Sequence, residues 1–418
     1  MVKKYELCTK HKKGGEMMSN KKSKIDFSKL KEIGSMDIKD IGKLFKKDKA
    51  QNPNYLLEKS NKVEKRFILK EKARTVLSID LGTNMIKLAE GKYQKDKLTI
   101  NKLLQIVTPE GAIADGKITN EEAIINTLEF LIKENNIKAK DLIFTTNSSS
   151  IINRDILIPM VQEEEMETVI RYEIQQYLPI NLDDYIIQYI VLDEIVDDTG
   201  ARLKVNVTSF PEKIAASYYN VVEALELNPY ALDVSYNSIN KLANYAQFTK
   251  NNGKILGGTV AFVDMGATSI NIAIYRNGKL DFTRMIKSGG DNIDYALSQS
   301  LNMSIKSTES LKKKDADLLN YDEKDTLNIT LRSSVDEILE ELERIIKFYG
   351  NKSNSTIEKI YIYGGLSNLK NIDIYMENRL NISVNKIKDI PNVDFTNKEY
   401  VDENLGEYLN AISAIIRL

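Results

Sequence analysis

The chain has 418 residues, of which 42% are hydrophobic, and its 59 Lys and Arg nearly balance its 60 Asp and Glu. This length can bury two substantial cores, and no apolar run reaches the roughly 18 residues that a membrane-spanning helix needs. The single Cys excludes an intramolecular disulfide framework and fits a reducing cytoplasm. The single His argues against zinc sites built on histidine and against histidine acid–base catalysis.

Charge is unevenly distributed along the chain. Residues 1–75 carry roughly +12 and the remainder roughly −13. We expect residues 1–73 to form a basic, disordered arm, with contact to anionic lipid as the alternative. The acidic remainder lacks interleaved basic and aromatic residues, so nucleic acid is not an expected partner.

The segment Lys12–Met18 (KKGGEMM) back-translates into a purine-rich ribosome-binding site followed by start codons. We therefore expect that residues 1–16, with Cys8 and His11, are not translated. A genuine extension of the protein is the alternative.

The first predicted strand–turn–strand is VLSIDLGTNMIKLAEG, residues 76–91. Helical spacing follows at 119–135, after the start signal Thr119–Glu122, and an apolar strand follows at 142–146. These elements complete a β-β-β-α-β half-domain. Residues 150–211 then form a predicted α/β insertion, with strands near 155–158, 185–195 and 202–209 and an acidic helix at 163–177.

The same strand–turn–strand recurs as VAFVDMGATSINIAIY, residues 260–275, with Asp80 matching Asp264 and Gly82 matching Gly266. The duplication predicts two related half-domains that face each other across a cleft. Glycine lets the turn aim backbone N–H groups at an anion, and an Asp at the strand end can hold hydrated Mg²⁺ beside phosphates. A plain hairpin turn is the alternative for each copy alone.

Three later features complete the pattern. Gly289 and Gly290 open a helix-like stretch, and a buried-looking strand at 360–363 runs into Gly364-Gly365-Leu366-Ser367. A predicted helix at 335–349 carries Glu341 and Arg344 on one face. An exposed ion pair is the alternative for the last two, and the Lys312–Lys314 cluster is expected to be solvated.

In order, Asp-x-Gly, Asp-x-Gly, Gly-Gly-Asp and Gly-Gly-x-Ser resemble the phosphate, connecting and adenosine motifs of the actin and sugar-kinase ATP-binding superfamily. The resemblance covers about residues 74–418 and implies an α/β, actin-like or FtsA-like two-domain fold with duplicated ribonuclease H-like halves. It implies Mg²⁺ at Asp80 and Asp264. It also implies ATP contacts at Gly82, Thr83, Asn84, Gly266, Ala267, Thr268, Gly289, Gly290, Glu341, Arg344, Gly364, Gly365 and Ser367.

The insertion resembles the 1C subdomain of FtsA. Its run Arg171–Pro179 (RYEIQQYLP), with Leu182-Asp183-Asp184 and Tyr189, is similar to the PilM family, the actin-like ATP-binding proteins of type IV pilus assembly. That resemblance implies a PilN-like bitopic membrane protein whose tail docks on the insertion and holds the chain at the inner face of the membrane. Further pilus assembly proteins are also implied partners, and a homo-oligomer is left open.

The expected organisation is domain 1 at 74–149, 212–255 and 378–418, the 1C-like insertion at 150–211, and domain 2 at 256–377.

The sequence departs from the family pattern at one position that matters for catalysis. Relatives often carry Asp-Val-Glu-Pro where this chain has Asp233-Val234-Ser235-Tyr236, and Ser cannot act as a base at neutral pH. We therefore expect ATP binding, with hydrolysis slow at most.

Two alternatives remain from the same superfamily. An FtsA- or actin-like filament protein would polymerise with ATP. A small-molecule kinase would place a catalytic Asp at the cleft, for which Asp183, Asp184 and Asp193 are available.

Overall fold

The computed structural model describes residues 74–417, except 95, 178–180, 198–199, 247–249, 252–253, 256–257 and 398–403. The predicted basic arm, the reading-frame expectation and the last two residues of the Arg171–Pro179 run lie outside the described residues.

The secondary structure mixes strands and helices along the chain. The strands are β1 (Thr75–Leu81), β2 (Met85–Gln94), β3 (Lys97–Val107), β4 (Ile113–Ala114), β5 (Lys117–Ile118), β6 (Asp141–Thr146), β7 (Ile152–Pro159), β8 (Tyr185–Asp197), β9 (Gly200–Pro211), β10 (Asn228–Val234), β11 (Lys250–Asn251), β12 (Lys254–Ile255), β13 (Thr259–Met265), β14 (Ile270–Arg276), β15 (Lys279–Ile286), β16 (Ile357–Tyr363), β17 (Ser383–Lys386) and β18 (Val393–Phe395). The helices are α1 (Glu121–Glu134), α2 (Met166–Tyr177), α3 (Glu212–Ala224), α4 (Ser235–Tyr245), α5 (Gly290–Leu301), α6 (Ile305–Asp315), α7 (Thr326–Ser353), α8 (Ile372–Leu380) and α9 (Leu409–Ala414).

Two larger sheets share one local plan. The first has the order β10-β6-β1-β2-β3-β18 and the second the order β15-β14-β13-β16-β17. In each, the strand that ends near the Asp-x-Gly turn runs antiparallel to the strand after the turn and parallel to a later strand. β1 and β13 are buried almost throughout, because helices cover both faces of each sheet.

The helices form where apolar residues keep a helical period. Helix α1 begins after Asn120, whose side chain accepts a hydrogen bond from the Ala123 N–H, and it buries Ile124, Leu128 and Leu131. Helix α7 packs in the same way on the second sheet, through a buried stripe that includes Leu331, Val335, Ile338, Leu339 and Leu342. Each larger sheet therefore has its own apolar core.

The insertion forms a separate antiparallel sheet in the order β7-β9-β8. Helix α2 covers one face of this sheet through Met166, Ile170 and Ile174, while Tyr172 and Tyr177 are more than half exposed. The hydroxyl of Tyr236 on α4 lies 3.2 Å from both the Asn153 amide and the Thr208 hydroxyl, which ties the insertion to helix α4.

One expected boundary needs correction. Strand β17 lies in the segment 378–418 that we assigned to domain 1, yet it pairs in parallel with β16 of the second sheet. The chain returns to the first sheet only at β18, which pairs with β3. The sequence of a four-residue strand does not indicate which strand it pairs with, so the tertiary structure decides the sheet that β17 joins. The other domain boundaries remain predictions. Within the described part of the chain, no helix combines the length and apolarity that crossing a bilayer requires.

Candidate functional site

The site is built on the two copies of the strand–turn–strand. Asp80 and Asp264 are each the penultimate residue of a central strand, in the same register with the strand after the turn. Both are more than 90% buried. Because the strands belong to different sheets, the two carboxylates can meet only if the sheet ends face each other.

Asn410 on α9 shows that they do meet. Its Nδ2 donates to Asp264 Oδ2 at 3.0 Å and to Asp80 Oδ2 at 3.4 Å. The Thr145 hydroxyl donates to the other oxygen of Asp80 at 3.3 Å. One amide nitrogen therefore joins two carboxylates that lie 184 positions apart in the sequence.

The turns after the two aspartates also touch. The hydroxyl oxygens of Thr83 and Thr268 lie 3.3 Å apart, and Asn84 Nδ2 donates to Asp291 Oδ1 at 2.6 Å. Glycine is required in both turns, because a Cβ on Gly82 would lie 2.6 Å from the Met85 carbonyl oxygen and one on Gly266 would lie 2.7 Å from that of Ser269.

The later glycine motifs pack against the second turn. The N–H of Gly290 donates to the Gly266 carbonyl at 3.1 Å, and the N–H of Asp291 donates to that of Ala267 at 2.9 Å. A Cβ on Gly289 would lie 2.5 Å from the Ala267 carbonyl oxygen, so only glycine fits.

Gly364 reaches the aspartate pair directly. Its φ is +87°, and a Cβ there would lie 2.6 Å from Asp264 Oδ1. The buried Ser367 hydroxyl donates to the Gly364 carbonyl at 2.7 Å and so braces the turn. Gly365 beside it faces open space.

Glu341 and Arg344 lie elsewhere. They pair with each other on an exposed face of α7, with 2.5 Å between Arg344 Nη1 and Glu341 Oε1. No recorded hydrogen bond or ion pair within the described ranges joins them to the aspartates. Their adenosine role remains a prediction, and the alternative, an exposed ion pair, is present in the structure.

Lys87 was not predicted to belong to the site. It is the cross-strand partner of Asp80, and its Nζ would lie 3.8 Å from a Cβ on Gly82. Burial raises the pKa of both aspartates, and the positive charge of Lys87 opposes that rise. The signal was present in the sequence as a lysine five residues after the glycine of the first turn. The second copy has Asn271 at the equivalent position.

Lys312 corrects an expectation. We expected the Lys312–Lys314 cluster to be solvated, but the Lys312 side chain is only 9% exposed and its Nζ lies 2.7 Å from Asp294 Oδ1. Packing of α6 against α5 turns this one lysine inwards, a contact that residue counting cannot foresee.

The aspartate pair is electrostatically unfavourable by itself. Burial raises the pKa of Asp264 to about 6; the Asn410 hydrogen bond opposes that rise and the charge of Asp80 adds to it. Burial also raises the pKa of Asp80, with Lys87, Asn410 and Thr145 acting in the opposite direction.

The donor set fits Mg²⁺ bound together with phosphates. Mg²⁺ is usually held by one or two carboxylates while phosphate and water supply the other oxygens. The described residues contain no group of three or more acidic, Cys or His side chains that could hold a metal by themselves. Asn410 Oδ1, buried without a hydrogen-bond partner among the described residues, adds an unused oxygen beside the pair.

The stretch Asp233–Tyr236, where relatives often carry a catalytic acid, has no carboxylate without a partner. Ser235 is buried at the start of α4. Asp233 accepts hydrogen bonds from Lys241 Nζ at 2.5 Å and from Asn237 Nδ2 at 2.6 Å, so its charge is already compensated. Asp183, Asp184 and Asp193 are exposed on the insertion, where their hydrogen bonds are local and, among the described residues, do not reach the aspartate pair.

Two sheets of equivalent topology, with paired aspartates and glycine turns at their facing ends, define an actin-like protein. Comparison with known proteins gives the particular family. The chain belongs to the family described as type IV pilus assembly protein PilM, whose model matches residues 78–413.

A solved structure shares the fold, and curated relatives match part of the chain. A structure titled PilM-PilN type IV pilus biogenesis complex matches with a TM-score of 0.69 and 19% identity, covering 81% of this chain and 97% of that one. The cell division protein FtsA of Neisseria meningitidis is 25% identical over 58% of this chain, and FtsA of Bacillus subtilis is 26% identical over 57%. The chain spans only 62% and 57% of these two FtsA proteins. The predicted actin-like fold and the PilM resemblance are confirmed.

The raised pKa of Asp264 gives a stability prediction. A carboxyl group whose pKa is higher in the folded state favours folding at low pH, and this contribution is lost as the pH rises from about 4 to about 6. In EDTA, the unfolding free energy of wild type should therefore fall relative to Asp264→Asn over this range, by on the order of 2–3 kcal/mol. Urea unfolding at a series of pH values measures it.

Asp281→Asn is the matched control, because Asp281 lies outside the cleft and pairs with Arg276. Its unfolding free energy should fall with rising pH as that of wild type does. Parallel pH profiles for wild type and Asp264→Asn would contradict the prediction.

Proposed function

We propose that this protein binds ATP with Mg²⁺ in the cleft between its two larger sheets and docks the tail of a membrane partner during type IV pilus assembly. The observation that carries the nucleotide proposal is the meeting of Asp80 and Asp264 at Asn410, with a glycine turn after each aspartate. Mg²⁺ would neutralise phosphate charge there.

Residues from both halves would contact the nucleotide. Backbone N–H groups of the turns at 82–84 and 266–268 would contact phosphates, with Lys87 supplying a positive charge. Residues 289–290 and 364–367, together with the Glu341–Arg344 pair, would contribute the remaining contacts. The direct contact between Thr83 and Thr268 would open to admit phosphate.

Once the cleft has opened to admit it, nucleotide would close the two halves around itself and do little chemical work. Ser235 cannot act as a base at neutral pH, and Asp233 is held by Lys241. A ligand that contacts both halves favours the closed form by its differential affinity for the two states.

The nucleotide proposal predicts which side-chain changes weaken ATP affinity. Asp264→Ala should weaken Mg²⁺-dependent ATP binding by about thirty-fold to a thousand-fold, that is about 2–4 kcal/mol, because the metal and triphosphate charges lose a compensating carboxylate. Lys87→Gln should weaken it in the same direction. Calorimetric titration with and without Mg²⁺ measures both.

Asp281→Ala and Lys92→Gln are the matched controls. They remove the same charges outside the cleft, and Lys92 lies on the face of β2 opposite to Lys87. Wild-type affinity in the Asp264→Ala variant would reject this cleft as the nucleotide site.

Turnover should be slow. Because no free acid lies at the Ser235 stretch, we expect steady-state hydrolysis far below the enzyme median of about 10 s⁻¹. A coupled phosphate-release assay measures it, and a rate near the median would mean that another residue supplies the base.

The partner proposal rests on family membership and on the insertion. Strands β7 and β8 are the two edges of its sheet, and Leu157 and Val191 on them are 43% and 47% exposed. An exposed edge accepts an extended peptide by main-chain pairing, with apolar side chains adding contact area. A PilN-like tail bound there would hold the protein at the inner face of the membrane.

The test is binding of a labelled PilN-like tail peptide, followed by fluorescence anisotropy. Wild type should bind it, and replacing residues 150–211 by a short linker should abolish binding. Leu157→Lys combined with Val191→Lys should weaken binding at least about tenfold while the fold is kept, because charge replaces apolar contact area.

Phe130→Lys is the control, since Phe130 is 59% exposed on α1 and outside the insertion. Equal binding by all variants would remove the insertion from the mechanism. No binding by wild type would favour the FtsA-like filament alternative.

A further inference from the structure

Asn410 stands out because its amide is buried in a helix that packs mainly in an apolar core, whereas the other polar residue of that helix, Ser413, donates to carbonyls of the helix itself. All six residues of α9 are buried, and Leu409, Ala411, Ile412 and Ala414 belong to the core cluster that lies between the two larger sheets. Burying an amide costs free energy unless its hydrogen bonds are made. The role of Asn410 should therefore follow from what its amide contacts.

The amide group donates to both aspartates and leaves its oxygen unused. Nδ2 contacts Asp264 Oδ2 at 3.0 Å and Asp80 Oδ2 at 3.4 Å, whereas Oδ1 is buried with no hydrogen-bond partner among the described residues. Only the NH₂ end can face two carboxylates, because a carbonyl oxygen would be repelled by both.

This geometry places a partial positive charge between two buried negative charges. A divalent cation held by the same two carboxylates would supply the same compensation more strongly. The cation and the amide NH₂ would then repel each other, whereas the unused Oδ1 could accept a hydrogen bond from metal-bound water. A half-turn about the terminal side-chain torsion exchanges the two ends of the amide without moving the helix.

We propose that Asn410 is a positioning residue that substitutes for the cation in the metal-free protein, joining Asp80 to Asp264 through its NH₂ group and turning its Oδ1 towards the site when Mg²⁺ binds. The inference rests on the proposed function, since it takes Mg²⁺ as the ligand of this cleft. It makes Asn410 the residue that sets how strongly the closed cleft depends on the cation.

Two substitutions separate the two ends of the amide. Asn410→Asp keeps the shape and an acceptor but removes the donors, while Asn410→Leu removes both. Ser413→Ala is the control on the same helix, because among the described residues the Ser413 hydroxyl donates to the backbone carbonyls of Leu409 and Asn410 and to no other group. All are compared with wild type by thermal unfolding at about pH 8, in EDTA and in saturating Mg²⁺, with and without ATP.

In EDTA, Asn410→Asp should lower the Tm more than Asn410→Leu, because a third carboxylate joins the pair. In Mg²⁺, Asn410→Asp should recover to near the wild-type Tm, with half-maximal stabilisation at an Mg²⁺ concentration about tenfold lower than for wild type. Asn410→Leu should stay destabilised. Ser413→Ala should shift the Tm by the same amount in EDTA and in Mg²⁺.

Equal loss of Tm by Asn410→Asp in EDTA and in Mg²⁺ would overturn the inference and make Asn410 a packing residue. Failure of the proposed function is distinguishable. In that case wild type itself shows no Mg²⁺-dependent shift, and Asp264→Ala behaves as wild type does. In labelled protein, a change in the Asn410 side-chain NH₂ resonances on adding Mg²⁺ supports the turn of the amide, and unchanged resonances in Mg²⁺-bound protein refute it.

Discussion

The structure depends on two like-charged carboxylates that are buried at one point. Asp80 and Asp264 end central strands of different sheets, and bringing the sheet ends together forces the charges into contact through Asn410. Burial raises the pKa of Asp264 and the charge of Asp80 adds to that rise, while the amide of Asn410 and the charge of Lys87 oppose it. The closed arrangement is therefore only partly compensated by the protein, and this is the physical reason that a cation is expected at the site.

Duplication gives the site its symmetry, and one side chain breaks it. Both aspartates have the same register with the following strand, and both glycine turns approach the backbone too closely for a Cβ. The residue opposite Asp80 is Lys87, whereas the residue opposite Asp264 is Asn271, which accepts a hydrogen bond from Asn147 at 2.6 Å. The first half therefore supplies positive charge and the second half supplies neutral polar contacts. A phosphate group would be held more strongly by the first half.

The hydrogen bonds described across the cleft are polar, which suits the proposed opening of the cleft to nucleotide. Thr83 hydrogen-bonds Thr268, and Asn84 hydrogen-bonds Asp291. Each of these bonds replaces hydrogen bonds with water, so its net contribution to stability is small, on the order of 1 kcal/mol. The apolar core that includes α9 is what keeps the halves together. Asp233 is paired with Lys241 and position 235 is a serine, which is consistent with the proposal that nucleotide drives closure rather than chemistry.

The sequence alone determined the features that have a local period or a repeated spacing. These include the two Asp-x-Gly turns, the helical stripe of α1, the strands of the insertion and the order of motifs that predicted an actin-like fold. Tertiary structure decided the contacts between distant residues. Asn410 lies 330 positions from Asp80, Lys312 turns inwards only because α6 packs on α5, and β17 joins the second sheet although it follows the expected boundary. The physical reason is that hydrophobic periodicity fixes which face of an element is buried, whereas the partner that a buried polar group finds depends on how the sheets and helices pack.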